Sequence, residues 1–202
     1  LNKSTLKELT KDKLKFYWNE NSEALRYRFS RNCYMWMQGF EFDKQSQQYL
    51  VDEYSQLVVT KKSPSGTSKL RQFGRLVFGY NGLGFKISPA VTGLMSERSL
   101  HVPSGKCTDD HILGVTPVGW KIHTMLRDAY DKSYKDYGEA DILKLSTYLA
   151  DNWLEDNLHY WVEAKITREE HRKDNLARDR HTLEQKENLV HYDEGSIHLL
   201  QM

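Results

Sequence analysis

The sequence predicts an α+β fold: a mainly helical body, a small antiparallel β region, and a C-terminal helix followed by a β-hairpin. Three observations predict it. Apolar residues recur at three- and four-residue spacing over residues 4–30 and 116–164. Short apolar runs broken by glycines occupy residues 76–115. A helix-capping pattern at Thr167 precedes two β-favouring runs that straddle Asp193-Glu194-Gly195.

At the N-terminus, Ser4 or Thr5 can cap a helix whose apolar residues are Leu6, Leu9, Leu14, Phe16, Tyr17, Leu25 and Phe29. Asn19-Glu20-Asn21-Ser22 is expected to break it in two. Cys33 to Phe40 is rich in aromatics. Gln45 to Val59 is read as a helix or a strand pair, ending in the β-favouring Leu57-Val58-Val59-Thr60. Residues 61–75, KKSPSGTSKLRQFGR, hold five basic side chains and no acidic one, with Pro64 and Gly66 in a turn. A basic loop is expected there, either solvated or contacting phosphate.

Leu76-Val77-Phe78 and Phe85-Lys86-Ile87 read as strands around an Asn81-Gly82 hairpin turn. The glycines nearby do not stand between a strand and a helix start, so they are not a dinucleotide fingerprint. Pro117 suits a first helical turn. Helices are expected from there to about Tyr130, from Glu139 to Ala150, and from Asn152 to Ala164. The stripe Ile142, Leu145, Leu149, Trp153 is a packing face. Thr167 and Glu170 form a capping-box pair for a helix to about Arg180. Residues 189–192 and 196–200 then read as the terminal hairpin. One domain spans residues 1–202: a helical part (1–60), the basic loop (61–75), and a part carrying the chemistry (76–202) with the helices of 116–164 inserted.

Composition narrows the function classes. The 29 basic and 28 acidic residues nearly cancel, which argues against a polybasic binder but leaves room for local basic patches. Cys33 and Cys107 stand apart, with neither metal-ligand spacing nor a disulfide framework, so a reducing compartment is expected. No apolar run reaches the length of a membrane span and no signal core follows the N-terminus. The cytoplasm is the expected location, with no membrane partner.

The sharpest local feature is Thr108-Asp109-Asp110-His111. A histidine takes a proton near neutral pH, and a carboxylate is a hard ligand for Mg2+ or Mn2+. Base and metal together suffice for phosphodiester hydrolysis. Adjacent strand residues point to opposite faces, so a bend at the strand end is needed to aim both at one site. A second cluster, Glu170, His171, Asp174, Asn175, Arg178 and His181, follows Thr167; His171 and Asn175 share a helix face. His123 is read as a core or surface residue, and His191 and His198 as strand-face residues.

Residues 107–118, CTDDHILGVTPV, resemble the Asp-His segment of phage-encoded HNH (ββα-metal) endonucleases, and residues 166–176, ITREEHRKDNL, resemble the half that supplies Asn and His. The likeness covers about a quarter of the chain. It implies metal-dependent cleavage of DNA, of homing type. By that likeness His111 is the general base, with Asn175 and His171 catalytic, and Asp110, Asp109 and His171 are metal ligands for Mg2+ or Mn2+. It requires residues 116–164 to be an insertion inside the motif. Lys61, Lys62, Lys69, Arg71, Arg75, Arg168, Arg172, Lys173 and Arg178 are the expected DNA phosphate contacts. The alternative is a non-enzymatic phage or host adaptor that binds nucleic acid or protein through exposed aromatics such as Tyr34, Trp36 and Phe40.

Overall fold

The computed structural model describes residues 5–39, 48, 69–78, 84–178 and 181–202. It is an α+β fold, mostly helical, with a small mixed sheet. Helix α1 (Leu6–Gly39) runs unbroken. Thr5 and Glu8 close a capping box at its start, the Thr5 amide donating to Glu8 and the Glu8 amide to Thr5 Oγ1. The expected break at Asn19–Ser22 does not form. The stretch holds no Gly or Pro, and the Asn21 side chain donates back to the Tyr17 carbonyl at 2.9 Å, so it has no need to leave the helix to find a partner.

Residues 61–68 of the expected basic loop, the 45–59 segment apart from Gln48, and the Asn81-Gly82 turn lie outside the described residues. From Lys69 on, the loop expectation is corrected: α2 (Lys69–Val77) is a helix that buries Phe73 and Val77. It presses on α4 (Val115–Tyr137) so closely that a Cβ on Gly74 would meet the Val115 carbonyl oxygen at 2.5 Å. The same correction removes the strand expected at residues 76–78, and Ile87 keeps only an isolated parallel bridge to Val162. Helix α5 (Ile142–Asn152) is capped by Asp141 and packs along α1. A 3-10 turn (Glu155–Trp161) follows.

The third expected helix is also corrected. Residues 163–167 form β3 (Glu163–Thr167), buried along most of its length. Glu, Ala and Lys are good helix formers, but the position between two strands overrides propensity. The described strands make one sheet in the order β2-β3-β1-β4, where β1 is Leu94–Ser96, β2 Cys107–His111 and β4 Leu199–Gln201. β2 and β3 run antiparallel, with Cys107 opposite Thr167 and His111 opposite Glu163. β1 runs parallel to β3 and antiparallel to β4, so the sheet is mixed rather than wholly antiparallel. Between β1 and the short helix α3 (Pro89–Thr92), Gly93 takes φ +73°, and a Cβ there would strike the Met202 carbonyl oxygen at 2.3 Å.

After β3 comes α6 (Arg168–Arg178), with Thr167 and Glu170 forming the expected capping box. The terminal hairpin is corrected. Residues 183–194 form two short helices, α7 (Leu183–Glu187) and α8 (Val190–Glu194), and only β4 is extended, pairing with β1. Thr182 and Gln185 build a second capping box, and burial of His191 and Tyr192 decides the local structure over their strand preference.

The core is aromatic. Trp161 is fully buried, with Phe29, Phe78, Phe85 and Trp153 around it at ring-centre distances of 4.8 to 6.1 Å. Its indole N–H donates to the Val77 carbonyl at 3.3 Å. A second centre joins α1, α2 and α4. Trp36 stacks on Phe73 at 4.4 Å and donates its indole N–H to His123 Nδ1 at 3.0 Å. Trp36 is therefore buried, and no exposed anchor for a partner; Phe40 lies outside the described residues. Among the described residues no helix is long and apolar enough to cross a membrane.

Burial pushes the His123 imidazole down to about 4 from its ordinary 6.5. The folded state therefore holds His123 neutral, while the unfolded chain protonates it below about pH 6.5. Its contribution is complete above that pH and falls by about 3 kcal/mol as the pH drops to 4. Denaturant titrations at pH 7.5 and pH 4 check this. His123→Gln keeps an acceptor for Trp36 and is expected to lose about 3 kcal/mol less than the parent between the two pH values; an equal loss would refute the assignment.

Candidate functional site

β2 is an edge strand, and its side chains alternate between two faces. On one face Asp110 is 1% exposed. Its Oδ2 accepts a 2.6 Å hydrogen bond from the Tyr192 hydroxyl, and its Oδ1 lies 3.4 Å from His171 Nε2. Tyr192 comes from α8 and His171 from α6, so three elements meet at one carboxylate. Behind them, on the next turn of α6, buried Asp174 stands 3.7 Å from buried His191, which stacks on Tyr192.

On the opposite face His111 Nδ1 lies 3.2 Å from Glu163 Oε1, its cross-strand neighbour. Lys86 donates to the same oxygen at 3.2 Å, and Phe78 packs edge-on to the His111 ring. Burial raises the Glu163 carboxyl above the ordinary range, with Lys86 opposing the rise and the nearby Asp109 and Asp110 charges adding to it.

The expected site residues are thus partly brought together. Asp110 and His171 share one face and touch, so the helix beginning at Thr167 does fold back on the Asp-His strand. His111 stands on the other face and does not join them. Asp109 is exposed, opposite Lys165 on β3. Asn175 lies on α6 but its side chain is outside the described residues, as is that of Arg178. Arg168, Arg172 and Lys173 are exposed on α6, and Lys173 forms an i,i+4 pair with Glu169 at 3.0 Å. Lys69, Arg71 and Arg75 belong to α2, which packs on α4 and α1; Lys61 and Lys62 are outside the described residues.

A groove of about 700 Å³ opens beside the first turn of α6. Arg98, His101, Lys106, Arg168 and Arg172 line it, with Glu169 the one carboxylate. Glu169 is held below its ordinary pKa by Lys173 and Arg98, so it stays charged and partly neutralises this wall. Glu170 fixes the geometry: besides capping α6, its buried carboxylate accepts from Ser96 Oγ at 2.7 Å. Ser96 in turn caps the 3-10 turn Glu97–His101 that carries Arg98 and His101. One buried glutamate therefore locks both walls of the groove.

Sequence reading missed Glu163, Lys86, Tyr192 and the groove residues Arg98, His101 and Lys106. Glu163 left a trace, since Val162 to Ile166 alternates apolar and charged residues at strand period. Tyr192 left none, being 82 positions from the carboxylate it serves. No protein family matches the chain, and no curated protein or solved structure resembles it significantly.

As a ligand set, Asp110 and His171 offer two donors, and among the described residues no group of three or more His, Cys, Asp or Glu can hold a metal ion. Two donors fit a divalent cation that keeps several waters and takes substrate phosphate as further ligands, as Mg2+ does; the imidazole favours Mn2+ over Mg2+.

Tyr192→Phe deletes a donor to a buried carboxylate and is expected to destabilise the fold by roughly 1.5–3 kcal/mol. Asp109→Asn, on the exposed face, is expected to change stability by less than about 1 kcal/mol. Urea denaturation near neutral pH measures both. Similar small effects would mean that the Asp110–Tyr192 contact is not structurally coupled.

Proposed function

We propose that the chain is a metal-dependent endonuclease that hydrolyses DNA phosphodiester bonds in the cytoplasm. The supporting observation is the 3.4 Å approach of the Asp110 carboxylate and the His171 imidazole on a strand–strand–helix unit, β2, β3 and α6, whose helix also lines a basic groove through Arg168 and Arg172. The unit is discontinuous in sequence, with α4, α5 and the 3-10 turn between β2 and β3. That is the arrangement the HNH likeness requires of residues 116–164.

In this assignment Asp110 and His171 hold the ion, and Arg98, Lys106, Arg168 and Arg172 hold backbone phosphates. A bound divalent ion neutralises charge building on the phosphate. Tyr192 fixes the Asp110 carboxylate from the side away from His171. His111 is the base: its Nδ1 lies 3.2 Å from Glu163 Oε1, and Nε2 takes the proton of the attacking water. His111 and Asp110 point to opposite faces, so one substrate reaches both only at the end of β2, where His111 is the last strand residue. His171, paired with Asp110, is the competing base on the groove side.

A second function, nucleic-acid binding without cleavage, is favoured by the two-donor ligand set. Plasmid incubated with the protein, with Mg2+ or Mn2+ and with chelator, separates the two. Cleavage is expected with metal and not with chelator. Asp110→Asn, His171→Ala and His111→Ala are each expected to abolish it while leaving DNA binding intact, and cleavage that persists in His111→Ala would remove His111 as the base. The Arg168→Gln, Arg172→Gln double variant is expected to weaken binding to all sequences alike and to reduce the salt slope by about two contacts. Unchanged cleavage in Asp110→Asn would overturn the Asp110–His171 site; DNA binding without turnover in any metal would overturn the nuclease assignment and favour the second function.

A further inference from the structure

The face of the sheet that carries His111 and Glu163 adjoins a cavity that plays no part in the proposed nuclease groove. It lies between α1 and the segment 84–86 and has a volume of about 360 Å³, within the range of small-molecule sites, roughly 300–1,000 Å³. Its apolar floor is Leu25, Phe78 and Phe85, and its polar rim is Tyr17, Arg28 and Lys86. Among the described residues no acidic side chain lines it. Two cations over an aromatic and aliphatic floor, with no carboxylate beside them among the described lining residues, are a receptor for an anion that carries an aromatic ring.

Both cations have weak or shared commitments. Arg28 is an exposed residue whose guanidinium donates to the Gly84 carbonyl at a long 3.4 Å. Lys86 has a half-exposed side chain and shares Glu163 Oε1 with His111, each at 3.2 Å. Glu163 is 1% exposed, and its Oε2 has no hydrogen-bond partner among the described residues. If Lys86 turns to an incoming anion, Glu163 still keeps His111 as partner. Burial already raises the Glu163 carboxyl, so the proton it needs is also close to hand.

We infer that this cavity binds a small anion of the nucleoside monophosphate class, its phosphate held by Arg28 and Lys86 and its aromatic base over Phe85 and Leu25. The site stands on its own geometry and does not rest on the nuclease proposal. Ligand binding there draws Lys86 off Glu163 and so reaches His111 through their shared carboxylate.

Isothermal titration of the full chain with adenosine monophosphate, benzoate and inorganic phosphate tests it. The nucleotide is expected to bind, benzoate more weakly, and phosphate not measurably. Arg28→Gln alters an exposed residue and is expected to leave the fold intact while weakening the nucleotide roughly tenfold, the size of one lost charge-assisted hydrogen bond. Lys86→Gln is expected to weaken it similarly, and Lys86→Arg to restore most of the affinity, which a merely structural role for Lys86 would not do. Arg168→Gln, in the separate groove, is expected to leave nucleotide affinity unchanged. Benzoate binding as tightly as the nucleotide would narrow the ligand to an aromatic carboxylate and overturn the nucleotide class. No binding of any probe, or nucleotide binding that is indifferent to Arg28→Gln and Lys86→Gln, would overturn the site.

Discussion

Pairing of β2 with β3 is the constraint on which the other features rest. Five residue pairs, from Cys107 with Thr167 to His111 with Glu163, close a loop that contains α4, α5 and the 3-10 turn. Closing a loop of that length costs chain entropy that grows only slowly with length, so a long insertion is tolerable once the ends are held. What holds them is hydrophobic and aromatic burial on either side of the ladder. Ala164 and Ile166 are fully buried, and Trp161, immediately before β3, is enclosed by four other aromatic rings. Removing the ladder would separate Asp110 from α6 and His111 from Glu163 in one step, since each contact depends on the register.

The groove is built by the same economy. Thr167 ends β3 and caps α6, so the strand hands its direction to the helix without a linker. Glu170 then satisfies the Thr167 amide and reaches across to Ser96 at the end of β1. Three elements are tied by one carboxylate whose partners are all neutral donors, a geometry in which a buried charge keeps hydrogen-bond compensation on several sides. The basic residues that line the groove need no such support. They are exposed, and their long side chains stand on rigid backbone that Glu170 has positioned.

Local signals in the sequence were reliable where local chemistry decides. Thr5, one of the two residues read as able to cap α1, and the Thr167–Glu170 capping-box pair act within four residues, and both form. The bend expected to aim Asp110 and His111 at one site does not form: β2 stays paired with β3 through His111, and the alternation of strand side chains keeps the two apart. Where neighbours distant in sequence decide, the signal was absent or misleading. Glu163 and Ala164 read as the end of a helix, yet they open an interior strand. His191 and Tyr192 read as a hairpin, yet burial against Asp174 and Asp110 makes them helical. Tyr192 could not have been assigned to the site from sequence, because nothing within its own segment refers to Asp110.

Two carboxylate–imidazole pairs on opposite faces of one edge strand are more than packing requires. Asp110 and Glu163 are each almost fully buried, and desolvating a carboxylate costs several kcal/mol even when a partner is present. Well-packed apolar residues of similar size would serve stability at least as well. The strand instead carries two charged or protonatable centres, each oriented by a further donor, Tyr192 on one side and Lys86 on the other. Lys86 also lines the cavity beside α1, and α6, which carries His171, lines the basic groove with its first turn. Burial dominates the rise in the Glu163 carboxyl, and the Asp109 and Asp110 charges on the neighbouring strand add to it in smaller measure.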